Sequence, residues 1–181
     1  MLLDQRIYAR FQALLDELAE RGRAEITQQG HVATGRGRDS LEGVIISRNL
    51  RKLEGAILAA DYMVGPVNDG VRASKVPFGG RKRGRGGKSK YIQGLLDWLR
   101  VVKPSMSDQE RLSMAFAIGR TAKREGHPTR GSYAFSRNGR RTGWIRAGLE
   151  TNAGVIEEEL QLAAALRASL FERVEKASKA A

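Results

Sequence analysis

Tyr62-Met63-Val64-Gly65-Pro66-Val67-Asn68-Asp69-Gly70-Val71 leads through Val76-Pro77-Phe78 and a loop of glycine, arginine and lysine into Ser89-Lys90-Tyr91-Ile92 and on to Trp98. An extended run, a long cationic loop and a helix that must cover the run make one unit, and the flanking segments read as its support. Pro66 marks the run from Asp61 to Val67 as an edge or a strand end, because proline cannot donate to a ladder. Beyond the loop, Ile92, Leu95, Leu96, Leu99 and Val102 recur at three- and four-residue steps and predict a helix that Pro104 terminates. That spacing puts Trp98 with Leu95 and Leu99 on the buried face.

On the N-terminal side, Leu3, Ile7, Phe11, Leu14, Leu15 and Leu18 form the stripe of a helix from Asp4, its expected cap, to about Gln28. Gly30 ends it. Two β-prone runs follow, Leu41 to Ser47 and Leu53 to Ala60, joined by a hairpin loop and each weakened by a glycine, Gly43 and Gly55. On the C-terminal side, Ser107 and Glu110 match a capping box, in which serine and glutamate satisfy each other's backbone N–H groups. The helix so opened is expected to bury Leu112, Ala115, Phe116, Ile118 and Ala122 and to stop at Gly126. A second arginine-glycine stretch, Thr129 to Arg141, reads as a short strand or an exposed arm. Ile156, Leu160, Ala163, Leu170, Val174 and Ala177 mark a long final helix. The whole reads as an α+β fold: a small antiparallel sheet packed against helices, with long N- and C-terminal helices and an extended basic loop. It is expected to be a single domain over residues 1–181, with the N-terminal helix in 1–29, the core in 30–149 around a basic loop at 72–90, and the C-terminal helix in 150–181.

The 181 residues carry 32 basic and 20 acidic side chains, a net charge of +12. Residues 1–25 hold four basic and five acidic groups and residues 150–181 four and six, so the stretch between them holds 24 against nine. Such a concentration attracts phosphate polymers or acidic protein surfaces. With no cysteine, disulfides, thiolate metal sites and thiol nucleophiles are excluded. The early charges and the lack of an apolar run near the roughly 20 residues of a membrane span suggest a soluble, unexported protein with no membrane partner.

Catalytic chemistry finds little footing. Gly86-Gly87-Lys88-Ser89 resembles the end of a phosphate-binding loop, but Lys82 stands where that loop needs its first glycine. Ser40 and Ser89 occupy the third-glycine position of the dinucleotide pattern. His31 and His127 lie beside glycines in predicted loops, without spacing to a carboxylate that would suggest a metal site, and read as solvated. The expectation is a non-enzyme with no cofactor. The candidate site is instead the partner-binding loop, with Arg72, Lys75, Arg81, Lys82, Arg83, Arg85, Lys88 and Lys90 and no acid among them. It could grip phosphates or fold against an acidic protein face. The second arm adds Arg130, Tyr133, Phe135, Arg137, Arg140 and Arg141. No aromatic lies inside the basic loop to stack on bases.

The order of the pieces resembles a family. Ala33-Thr34-Gly35 and Asp39-Ser40-Leu41 lead into a hairpin, then Tyr62 to Gly70 precede a loop, and Tyr91 to Leu99 and Ala115 to Arg120 form a helix pair. Over about Gly30 to Gly131 this is similar to the tail-completion, or head-tail joining, proteins of tailed bacteriophages. The cationic density of the loop and the long C-terminal helix depart from that pattern. The resemblance implies a noncatalytic virion protein assembled as a homo-oligomeric ring at the neck, touching other phage neck, connector or tail proteins. Both arginine-rich segments would then be insertion elements. The rival reading is a sequence-independent nucleic-acid-binding protein, and nonspecific DNA contact fits the charge under either.

Overall fold

The computed structural model describes residues 5–49, 52–78, 89–150 and 153–179. Among the described residues the fold is α+β: five α-helices, of which α1 (Gln5–Gln28) is long and N-terminal and α2 (Arg36–Asp39) a single turn, and one antiparallel hairpin. The chain divides into two compact units, residues 1–25, 38–60 and 144–181 in one and residues 26–37 and 61–143 in the other. No helix among the described residues is long and apolar enough to cross a membrane.

In the first unit the hairpin pairs β1 (Glu42–Asn49) with β2 (Lys52–Leu58), Ile45 opposite Gly55, with Ile46 bulged out of register and exposed. Gly43 and Gly55 explain how α1 lies on the hairpin. A Cβ at Gly43 would stand 2.7 Å from the backbone of Leu15, and one at Gly55 2.6 Å from its side chain. The absence of both side chains makes room for Leu15, and the Gln12 side-chain amide fastens the contact by donating to the Gly43 carbonyl at 2.9 Å. Ile7 and Leu14 of α1 meet Leu162 of α5 (Ala153–Lys179), with Phe11, Leu18, Leu53, Ala165 and Leu166 around them. The inward face of α5 is therefore Leu162, Ala165 and Leu166, and Ala163, expected in the stripe, is exposed. Leu3 and Asp4, and the side chains of Ile156, Leu160, Val174 and Ala177, lie outside the described residues. Trp144 is buried near Leu41 and Leu149 above Gly22, where a Cβ would approach all three.

In the second unit α3 (Lys90–Val102) and α4 (Asp108–Glu125) pack together through Ile92, Leu96, Leu99 and Ala115. Both start on side-chain caps. The Ser89 hydroxyl accepts from Ile92 N–H at 3.2 Å, and Ser107 and Glu110 form the expected capping box. The buried positions of α4 are small, Ala115, Gly119 and Ala122, and define its inward face. Phe116, expected inside, is offset from that face by about 100° per residue and is 36% exposed. Trp98 departs in the same way. The inward arc of α3 is centred on Ile92, Leu96 and Leu99, so Trp98, one residue before Leu99, turns out to solvent at 41% exposure.

The run from Asp61 to Val67 is helical and not extended. Met63–Val67 is a π-helical turn in which Asn68 N–H donates to the Met63 carbonyl at 3.1 Å, a wide bond that closes around Pro66. Met63 buries its side chain, beside Gly37. The only extended pairing in this unit among the described residues is the bridge between Val71 and His127, with two bonds of 2.7 Å.

Candidate interaction surface

The basic loop has well-built roots. Val76 is buried and its carbonyl accepts from Lys123 Nζ at 3.3 Å. The Phe78 ring then packs edge-on between Tyr91 and Phe116, at centroid distances of 6.4 and 6.3 Å. Gly119 makes this possible, since a Cβ there would stand 2.5 Å from the Phe78 ring. At the other end the Ser89 cap fixes the start of α3. Arg72, Lys75 and Lys90 are exposed around these roots. Arg81, Lys82, Arg83, Arg85 and Lys88 lie outside the described residues.

The second arm is a 3-10 helix, Arg130–Phe135, followed by an irregular return to Arg141. It is held by its backbone. Arg130 N–H donates to Glu125 at 3.1 Å, Arg137 N–H to the Gln28 carbonyl at 2.7 Å, and Arg140 N–H to Asn138 at 3.1 Å. The side chains are left outside: Tyr133 is 43% and Phe135 70% exposed, with Arg130, Arg137 and Arg140 also exposed. Arg141 is the exception among the expected arm residues. It turns inward, donating to the Gln29 carbonyl, while its own carbonyl meets His31 Nε2 at 3.0 Å.

Arg141 and the two histidines line a half-open cleft of about 250 Å³ with Pro66, Val67, Val71, Pro128 and Ser132. Neither histidine is a solvated loop residue. His31 Nε2 must carry the proton it gives the Arg141 carbonyl, and His127 Nε2 lies 2.7 Å from the Tyr91 hydroxyl. Burial lowers the pKa of both from 6.5, and at His31 the Arg141 cation adds to the effect. The folded protein thus holds both neutral where the unfolded chain would take up protons. Their contribution to stability is intact above the unfolded value and is lost as pH falls below it. Unfolding free energy should accordingly decline from about pH 6.5 downward. In the doubly substituted His31→Gln, His127→Gln protein the decline should be shallower, and an unchanged slope in urea titrations at several pH values would contradict this. Among the described residues no group of three His, Cys, Asp or Glu is placed to hold a metal ion.

Charge separates between the two units. The second holds 19 basic and six acidic side chains and the first 13 and 14, so the formal charges are +13 and −1. The sequence reading missed an apolar strip on α3. Gly94, Trp98 and Val101 share its outer side, while Gln93, Asp97 and Arg100 bond to one another along one flank only. The signal was the i, i+4, i+7 spacing of a second apolar series behind the core stripe. Comparison of the chain with protein-family models, curated proteins and solved structures finds no match.

Proposed function

We propose that this chain is a structural subunit of a head-tail joining ring of a tailed bacteriophage, working in the virion by protein docking and without catalysis. The order of short motifs from Gly30 to Gly131 suggests the class. The observation that carries the reading is the outward apolar strip of α3, where Trp98 is 41% and Val101 47% exposed behind a complete core stripe. A helix that is apolar on two sides is suited to cover by a neighbour. Exposed Tyr133 and Phe135 on the second arm supply a separate surface, and a ring subunit needs two different ones. Within this reading the basic loop and the arm are the segments that reach other neck, connector or tail proteins.

The concentration of +13 in one unit favours a second reading, sequence-independent binding of nucleic acid. Neutralising Arg81, Lys82, Arg83 and Arg85 together separates the two. Loop surface charges contribute little to stability, so the subunit should stay folded. A joining subunit should then lose docking or head-tail joining. A nucleic-acid binder should lose duplex binding, its salt slope falling by about 0.9 per lost phosphate contact. Tight parental DNA binding that the variant loses, with assembly intact, would overturn the joining role.

A further inference from the structure

We infer that copies of this chain contact one another head to tail, the second arm of one copy docking on the outward face of α5 of the next. The inference rests on the self-association that the ring reading requires, and names the two surfaces. On α5, Glu157, Ala164, Ala168, Phe171, Glu172 and Glu175 are all exposed and, at 3.6 residues per turn, fall within an arc of about 100° beside the core face of Leu162, Ala165 and Leu166. Phe171 is 75% exposed, the highest exposure of any large hydrophobic side chain among the described residues, and acids flank it along the helix. Two small alanines next to it leave room for a large side chain.

The arm has the complementary character. Phe135 and Tyr133 stand out from a backbone pinned to Gln28, and no carboxylate among the described residues pairs with Arg137 or Arg140. An aromatic with cations on one surface thus matches an aromatic with acids on the other, the arrangement in which opposite charges rim a small apolar centre. Because the two surfaces differ, the contact is heterologous and propagates from copy to copy, closing to a ring where the rotation allows.

The absence of native cysteine makes a direct test simple. One chain carrying Ala134→Cys, beside Phe135, is mixed with a tagged chain carrying Ala168→Cys, beside Phe171, and a short bis-maleimide is added. A cross-linked species of twice the chain mass is expected. Arg137→Glu with Arg140→Glu on the first chain should reduce its yield at least about tenfold, and Glu157→Lys with Glu172→Lys on the second should restore it. All six positions are exposed, so far-UV circular dichroism should stay unchanged. The inference is overturned if mixed chains give no cross-link, if charge reversal leaves the yield unchanged, or if a chain with both cysteines links only within itself. A discrete ring without this cross-link would overturn the contact alone. The cross-link in a protein that has no part in head-tail joining would overturn the joining role and leave the contact standing.

Discussion

Replacing Trp144 with alanine should cost about 3–5 kcal/mol and leave little folded protein at physiological temperature. Trp144 is 1% exposed, the largest fully buried side chain among the described residues. Its ring closes on Gly22 of α1 beside Leu41 and Leu149, a site too tightly built to collapse around an alanine. Trp98 is the internal control. With 41% of its surface in water, Trp98→Ala should change the free energy of unfolding by under about 1 kcal/mol and shift the melting point by a few degrees at most. Urea titrations of the two variants, followed by circular dichroism, read the difference. Equal losses would mean that the burial pattern assigned to the two tryptophans is wrong.

Gly126→Ala is the second large effect expected. Gly126 ends α4 at φ 87° and ψ −169°, a combination that is essentially restricted to glycine. A Cβ there would also stand 2.6 Å from the Val71 carbonyl oxygen, which accepts from His127 N–H in the bridge that ties α4 to the root of the basic loop. Backbone strain of about 1–3 kcal/mol adds to the displacement of that carbonyl, so a loss of roughly 2–4 kcal/mol is expected. Hydrogen exchange should show the Val71 and His127 amides, paired in the parent, exposed early in the variant. A variant as stable as the parent, with both amides protected, would contradict the geometry.

The elements that the sequence made legible are those written in local chemistry. The 3.6-residue series of Ile7, Leu14 and Leu15 marked α1, two β-prone runs joined by a short polar loop marked the hairpin, and Ser107 with Glu110 marked the start of α4. What escaped depends on contacts distant in the chain. Nothing near Tyr62 announces that the segment around Pro66 closes a π-helical turn, because Met63 is drawn inward by packing beside Gly37. Trp98 was assigned to the buried face on its spacing from Leu95 and Leu99, yet the inward arc of α3 is set by which side meets the small residues of α4. Gly43 and Gly55 looked like weaknesses in their strands and are instead the places where Leu15 fits. The exposed arm was readable from its arginines and glycines. The inward turn of Arg141 was not, because its partners Gln29 and His31 lie more than 100 residues away.

The mass of the purified protein in solution, read beside its abundance in purified particles, tests the central claim most directly. A joining-ring subunit of 19.9 kDa should appear as a discrete multiple of that mass, or as a band of fixed stoichiometry in tailed particles. A monomer at every concentration that is also absent from particles would contradict the account.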